Sequence, residues 1–452
     1  MTVLGYSSEK EFTPPWRVRE FIAWAVIVAV VALVLILSPR SAGRKTAAPE
    51  TPDLRMILAA RYMVGMTHVL PTASQKAEHL DETLASSAKS PGERLEVAIV
   101  RGELEGKAAA LKEIDSAETA DPSVRKDAEI LRGIYAGTPP ATGPDLTDFK
   151  QRHGWFADLA ESYGKPATDP LRAATVEKAV RTMIVAILVL LFAGLAGLVG
   201  LVLLITGIIM WFTGHLRTHF GQVRLLPVNR AAHVEAVAWY LSIYVVGSLL
   251  LGLFVHLFPG LNTKWGLLLL PAGFGVAVLW PRMQGESWAE WRAAVGLHTG
   301  QGVFKELACG AAGYLAGLPV LALGLLASAL ISKWSGADPT HPIMREINGD
   351  PKRIVLLLLL ASVWAPITEE LMFRGSLFAH LRERWGWWRS ALLVSLVFAI
   401  IHPQGLAALP ALGSIAMMLA MVREWRGSIL GCVMAHAINN TIVLLTLVLM
   451  VT

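Results

Sequence analysis

The stretch Thr368–Arg374 places two adjacent glutamates and an arginine inside a strongly apolar run that begins at Ile354. A charge deep in lipid costs at least ~2.5–3.5 kcal/mol, so it is rarely kept without a partner or a task. Glu370 and Arg374 are four residues apart, so they share a helix face and can pair, whereas Glu369 is rotated by about 100°. The pattern predicts an ion pair beside a second carboxylate that could serve as a general base.

Two later apolar runs carry further polar side chains. Phe398 and His402 are four residues apart, and Pro403 ends that helix. His436 and Asn440 have the same spacing, and two donors on one face could stabilise an oxyanion. Each motif alone also fits a structural role, namely a packing ion pair, a core histidine or a hydrogen bond between membrane helices. Because the structural explanation must hold for all three motifs at once, their combination favours a hydrolytic site.

The elements that position these motifs are predicted membrane helices. The chain of 452 residues is 54% hydrophobic and 17% charged, with a mean hydropathy of +0.51. About 20 largely apolar residues, or ~17 at the short end, cross a bilayer. We predict an all-α fold, a polytopic transmembrane helix bundle of about nine spans, in which the seventh and eighth spans are short. The predicted spans are Phe21–Leu37, Met183–Met210, Ala236–Leu257, Trp265–Trp280, Leu307–Ile331, Ile354–Phe373, Trp388–Ile401, Leu406–Val422 and Ser428–Met450.

Arginines near the ends of the spans predict the orientation. Cytoplasmic loops carry an excess of basic residues, and arginines follow the second, fourth, sixth and eighth spans. The N-terminus is therefore expected in the cytoplasm, with the segment after the first span and the C-terminus outside. These arginines also account for the pI of about 9.2, so no nucleic-acid partner is needed. The arginines in question are Arg217, Arg224, Arg230, Arg282, Arg292, Arg382, Arg384, Arg389, Arg423 and Arg426.

The chain is predicted to divide into three parts. Residues 1–38 form a cytoplasmic N-terminus and an uncleaved first anchor, residues 39–180 a soluble helical domain inserted after the first span, and residues 181–452 the transmembrane domain. Apolar spacing within 39–180 predicts short helices divided by proline-containing breakers. The arrangement is somewhat similar to a helix-pair repeat array, but a small helical bundle explains it as well because no clean period is present.

The three motifs together resemble the CPBP family, the CAAX-protease and bacteriocin-processing group of intramembrane endopeptidases, also called Abi or Rce1-like proteins. The family pattern has Glu-Glu-xxx-Arg, Phe-xxx-His and His-xxx-Asn motifs on successive transmembrane helices. The residues that match this pattern are Glu369, Glu370, Arg374, Phe398, His402, His436 and Asn440. The likeness covers roughly residues 236–452 and implies an intramembrane endopeptidase.

The resemblance also implies a role for each matching residue. Glu369 would activate water with the help of His402, His436 and Asn440 would bind the oxyanion, and Glu370 with Arg374 would hold the site or the substrate. A zinc ion stays open as an alternative, because Glu369, His402 and His436 would supply a three-ligand set with an open position. Glu370 would then have to act as the base, so the metal-free mechanism is favoured.

Three classes of function are compatible with this sequence. The leading interpretation is an endopeptidase that acts on a peptide or protein substrate at the bilayer, in a bacterial inner membrane. A non-catalytic scaffold or immunity-type protein that reuses the fold is the alternative, and the intact motif set argues against it. Buried charges also line ion paths in transporters, but no clear inverted repeat supports a transporter.

Overall fold

All regular elements in the described part of the chain are helices, which confirms the predicted all-α fold. The structure is a computed structural model that describes residues 15–37, 54–70, 84–85, 88, 90–117, 121–138, 144–216, 218, 230–258, 268–337, 347 and 350–451. In chain order the helices are α1 (Pro15–Leu37), α2 (Leu54–Val69), α3 (Pro91–Glu105), α4 (Lys107–Ser116), α5 (Pro122–Ala136), α6 (Pro144–His153), α7 (Trp155–Glu161), α8 (Pro170–Phe212), α9 (Ala231–Leu257), α10 (Leu269–Met283), α11 (Trp288–Val295), α12 (Val303–Ser335), α13 (Pro351–Arg382), α14 (Trp387–Ile400), α15 (Leu409–Arg426) and α16 (Leu430–Val451).

The structure has long membrane helices at seven of the nine predicted spans, and short helices at the fourth and seventh. Within the described ranges, seven helices are long and apolar enough to cross a bilayer, and α10 and α14 are shorter apolar helices. The eighth predicted span is not short, because a single turn of 3-10 helix, Leu406–Ala408, continues into α15 to give 21 residues. The short helix α11, between α10 and α12, was not predicted.

Two helices of the predicted soluble segment begin at proline-containing breakers. Ser90 caps α3 and forms a capping box with Glu93, and Pro91 occupies the first turn. Asp121 caps α5 through the amide of Ser123. Both breakers therefore start a helix, because a proline cannot continue a preceding helix but fits the first turn of the next.

The chain divides into two compact units. The first, called here the membrane unit, comprises Met1–Ala42, Leu195–Pro342 and Val355–Leu444. The second, called here the outer unit, comprises Gly43–Gly194, Ile343–Ile354 and Leu445–Thr452. Each unit has its own apolar core. The outer unit thus includes the predicted soluble segment and also takes in the first turns of the apolar run in α8 and the end of α16.

Helix α13, which carries the two glutamates, departs twice from regular α geometry. Two π-helical segments, Leu360–Trp364 and Leu371–Leu377, lie on either side of a short α-helical piece that contains Pro366. Such segments occur frequently at functional sites, because the wider turn changes which carbonyls are bonded within the helix. Seven consecutive buried residues make up the second segment, so it lies in the core of the membrane unit.

Candidate active site

The carboxylate of Glu370 joins two motifs of the site. Its Oε1 accepts a hydrogen bond from Nη1 of Arg374 at 3.1 Å, so the predicted pair is confirmed. The same oxygen lies 2.8 Å from Nδ1 of His436 on α16. Glu370 and Arg374 are both 0% exposed. A charge at such a position is stable only with partners, and here three charged or chargeable groups supply them to one another.

The ring of His436 is oriented by this contact. Because an ionised carboxylate can only accept, Nδ1 carries the hydrogen, and Nε2 carries a lone pair in the neutral ring or a second hydrogen in the protonated ring. Nε2 lies 4.0 Å from Oε2 of Glu369, beyond direct hydrogen-bond distance. His436 thus lies between the two glutamates, bonded to one and facing the other.

The side chain of Glu369 differs from that of its neighbour. It is 22% exposed, whereas Glu370 is fully buried, and in both glutamates the atom Oε2 is buried and has no hydrogen-bond partner among the described residues. Tyr240 and Tyr244 of α9 lie near enough to interact with its charge. A buried polar oxygen without a partner is unusual in a folded protein and points to a functional group. Sequence reasoning missed both tyrosines, because nothing in the local sequence ties α9 to the glutamates.

The aromatic ring of Phe398 joins the second motif to the other two. The guanidinium of Arg374 lies 4.7 Å from the ring centroid, a cation–π distance. The rings of His402 and His436 lie 4.3 Å and 6.1 Å from the same centroid. Nδ1 of His402 is 2.5 Å from the carbonyl oxygen of Phe398, so Nδ1 donates and Nε2 of the neutral ring carries the lone pair.

The amide of Asn440 has a partner that sequence reasoning did not anticipate. Its Nδ2 donates to the carbonyl oxygen of Ala361 at 2.8 Å, and its Oδ1 accepts from Asn439. In a π-helical register the residue five positions after Ala361 would bond that carbonyl, but it is Pro366, which has no N–H. Asn440 therefore donates the hydrogen bond to this carbonyl that the proline cannot donate. The role of Asn440 as an oxyanion donor stays a prediction.

The suggested zinc ligands do not converge. No group of three His, Cys, Asp or Glu side chains in the described ranges is arranged to hold a metal ion, and Glu369, His402 and His436 are all described. The arrangement does not fit a three-ligand zinc centre.

Buried arginines at the end of α15 are the main feature that sequence reasoning missed. Arg423 and Arg426 were assigned to a cytoplasmic loop, but they lie in the last turn of α15 and are 0% and 5% exposed. The end of a helix attracts cations, because its last carbonyls lack partners and carry partial negative charge. Arg426 pairs through two hydrogen bonds with Glu306 at the start of α12. Nothing in the sequence distinguishes these buried arginines from the exposed arginines near other span ends.

The fold and the cluster define a polytopic helical membrane protein with a buried glutamate–histidine–arginine site in its spans. Residues 351–442 match the family model described as type II CAAX prenyl endopeptidase Rce1-like, which supports the resemblance of this region to the CPBP family. The matched region runs from the start of α13 into α16 and contains every residue of the three motifs.

Two further comparisons accompany the family match. An uncharacterized 24.3 kDa protein of Escherichia coli is 32% identical over 115 residues, which cover 24% of this chain and 53% of that protein. The chain therefore spans about half the length of this curated relative. No solved structure matches the chain.

Proposed function

We propose that the protein is an intramembrane endopeptidase that hydrolyses a peptide bond of a membrane-associated substrate with water activated by Glu369. The observation that carries the proposal is the buried Oε2 of Glu369, which has no hydrogen-bond partner among the described residues and faces Nε2 of His436 at 4.0 Å. The adjacent glutamate is held by Arg374 and His436, so the two carboxylates have different surroundings. Two carboxylates with different surroundings commonly divide the tasks of positioning and proton transfer.

Glu369 acts as the general base. Its carboxylate accepts a proton from water while the water oxygen bonds to the scissile carbonyl carbon, which forms a tetrahedral oxyanion. The proton then passes from Glu369 to the leaving amine nitrogen as the carbon–nitrogen bond breaks. His402 assists this transfer through Nε2, since its Nδ1 is bonded to the carbonyl of Phe398.

Glu370 and Arg374 position His436. A buried carboxylate bonded to Nδ1 fixes the orientation of an imidazole and stabilises its protonated form, as in a serine-protease triad. Protonated His436 donates from Nε2 to the oxyanion, and Asn440 supplies a second donor through the hydrogen of Nδ2 that Ala361 does not use.

The substrate class follows from the position of the site and from the family. A site in the spans of an integral membrane protein receives segments that are anchored in or at the bilayer. The matched family model is described as a CAAX prenyl endopeptidase, so a lipid-modified cysteine near a chain end is the first substrate to test. A bacterial inner membrane is the proposed location, because the similar Escherichia coli protein is bacterial.

The test uses the full chain, purified and reconstituted in liposomes. The probes are internally quenched peptides that end in cysteine, two aliphatic residues and methionine, with and without a farnesyl group on the cysteine. Cleavage by the native protein and a loss of ~10²–10⁴-fold in kcat for Glu369→Gln are expected. The folded state of Glu369→Gln should be unchanged, so it should also trap a substrate from membranes for peptide identification.

Glu370→Gln is the matched control for this variant. It changes the adjacent residue in the same way but weakens the buried pair with Arg374, and breaking such a pair costs up to ~3–5 kcal/mol. We therefore expect a lower thermal midpoint for Glu370→Gln as well as a lower activity. Full activity of a well-folded Glu369→Gln protein would rule out the base assignment. An inert native protein would instead favour a non-catalytic scaffold.

A further inference from the structure

Arg423 of α15 is fully buried and bonds to the main chain of the catalytic helix. Its Nε donates to the carbonyl oxygen of Arg374 at 3.2 Å, and its Nη1 donates to the carbonyl of Gly427. The first acceptor lies within the π-helical segment Leu371–Leu377, four residues after Glu370. Arg423 thus connects the end of α15 to the residue that holds Glu370.

The contact is reciprocal. The guanidinium of Arg374 donates through Nη2 to the carbonyl oxygen of Ala416 at 2.9 Å. Ala416 lies seven residues before Arg423 on α15, which is about 10 Å along the helix. Helices α13 and α15 therefore each donate a hydrogen bond from an arginine to a main-chain carbonyl of the other. Arg374 is held at both its main chain and its guanidinium.

The protein has a shaped space for the guanidinium of Arg423. Gly296, which ends α11 with φ +76°, lies against it, and a Cβ at this position would overlap the guanidinium. The amide of Ile429 donates to the carbonyl of Gly296 at 2.9 Å. On the other side, a Cβ at Gly375 would lie only 2.9 Å from Cβ of Val295. The junction of α11, α13 and α15 is therefore close-packed around this side chain.

We propose that Arg423 is a positioning residue of the endopeptidase site, and that it acts through the main chain of Arg374 to set the hydrogen bonds of Glu370 and His436. The proposal rests on the proposed function. Arg374 donates to Glu370, and Glu370 in turn bonds to Nδ1 of His436. A displacement of about 1 Å in a catalytic group costs up to ~10²-fold in rate, so a loosened Arg374 should be visible in kcat.

Arg426 offers a matched control. It lies one helical turn after Arg423 and is also buried, but its guanidinium bonds to both oxygens of Glu306 and not to α13. A lysine at either position keeps the charge but cannot reproduce two hydrogen bonds from a planar fork. The two variants therefore disturb the same helix end in the same way, and only one of them removes the bond to Arg374.

The first measurement is steady-state cleavage of the quenched farnesylated peptide by the reconstituted full chain. For Arg423→Lys we expect kcat to fall by ~10–100-fold with KM within about twofold, since the bond removed positions the catalytic groups. For Arg426→Lys we expect kcat within about twofold of the native value. A purely structural role would lower the amount of folded protein for both variants and would leave kcat per folded molecule unchanged.

The second measurement does not depend on activity. Cys432 is fully buried one turn before His436, and its charged neighbours include Glu370, Arg374 and Arg423. In a Cys309→Ser background, the rate of Cys432 alkylation by N-ethylmaleimide reports local opening of the site. We expect Arg423→Lys to raise this rate at least ~10-fold and Arg426→Lys to leave it near the background value.

The two readouts separate the two proposals. If the native protein cleaves the peptide and Arg423→Lys has native kcat, the positioning role is wrong while the proposed function stands. If the native protein cleaves no peptide but Arg423→Lys opens the Cys432 region and Arg426→Lys does not, the positioning of the cluster stands and the proposed function fails. Equal effects of the two lysine variants on kcat and on alkylation would also overturn the positioning role.

Discussion

Each of the two units buries a histidine between two carboxylates, and the two clusters differ in how completely they are bonded. In the outer unit, Nδ1 of His153 lies 3.1 Å from Glu96 and its Nε2 lies 3.2 Å from Asp127. Asp127 also accepts two hydrogen bonds from Arg152. In the membrane unit, His436 bonds to Glu370 but stays 4.0 Å from Glu369.

The difference in exposure follows the difference in bonding. The side chains of His153, Glu96 and Asp127 are all at most 4% exposed, whereas Glu369 is 22% exposed. A histidine bonded through both ring nitrogens cannot exchange a proton with a substrate, whereas one bonded through a single nitrogen is oriented and still able to react. The same residue types are therefore fully bonded in one unit and, under the proposed function, take part in chemistry in the other.

Replacing each histidine with glutamine should distinguish the two clusters most clearly. We expect His436→Gln to lower kcat on the quenched peptide by ~10²–10³-fold, the usual effect of removing an oxyanion donor. His153→Gln should keep kcat within about twofold and lower the thermal stability of the outer unit. A comparable loss of kcat in both variants would show that the outer unit contributes to the chemistry.

Asn440→Ala decides between two roles for the amide in the membrane unit. As an oxyanion donor, Asn440 should lower kcat by ~10²–10³-fold when removed, with little change in KM. As a partner of the Ala361 carbonyl alone, it should instead leave kcat unchanged and cost ~1–3 kcal/mol of stability, because a buried carbonyl loses its donor. Steady-state kinetics and thermal unfolding of the same preparation separate these outcomes.

The stability of the cluster formed by His153, Glu96 and Asp127 in the outer unit should depend on pH. Burial alone would lower the pKa of His153, but hydrogen bonds to Asp127 and Glu96 outweigh it and raise the pKa. Burial alone would raise the pKa of Asp127, yet hydrogen bonds from His153 and Arg152 lower it. The contribution of His153 is complete below its unfolded pKa of about 6.5 and is lost as the pH rises through its folded pKa.

Hydrogen exchange of α3 and α6 in the full chain measures this pH dependence. After correction for intrinsic exchange, protection should fall as the pH rises above about 6.5, and His153→Gln should remove that dependence. The contribution of Asp127 runs in the other direction. It is present above the unfolded pKa of about 3.9 and is lost as the pH falls through the lowered folded pKa. A protection profile in native protein that stays flat from pH 6 to pH 9 would contradict the assignment.

Two surface cysteines, introduced one at a time, test the predicted orientation of the chain in the membrane. In a Cys309→Ser background, we expect an impermeant thiol reagent added to intact cells to modify a cysteine at the exposed Ser116 and to spare one at the exposed Arg389. The reverse labelling pattern would invert the predicted topology, and with it the side from which substrate reaches Glu369. Labelling after cell lysis controls for the reactivity of both positions.

The sequence predicted the parts of the site that depend on spacing within one helix. Glu370 and Arg374 pair because residues four apart share a helix face, and the ring of Phe398 contacts that of His402 for the same reason. The helix starts of the outer unit were equally readable, because capping residues and prolines act locally.

Contacts that depend on the path of neighbouring helices could not be predicted. The partner of Asn440 is a carbonyl that is available only because Pro366 follows a π-helical segment, and no local pattern predicts that register. Arg423 and Arg426 appeared to be ordinary membrane-edge arginines, since composition does not distinguish a buried helix end from an exposed loop. Their partners, Arg374 and Glu306, are 49 and 120 residues away.

The second π-helical segment of α13 also determines how the two ends of this helix are rotated relative to each other about the helix axis. On the N-terminal side of the segment Glu370 faces His436. On its C-terminal side Nε2 of His380 lies 3.0 Å from Glu20 of α1. A π turn holds more residues than an α turn, so the two ends of α13 point in directions that an unbroken α-helix could not provide together. Losing one residue from Leu371–Leu377 would turn His380 by about 100° relative to Glu370. The length of this segment therefore keeps the Glu370 cluster and α1 in register.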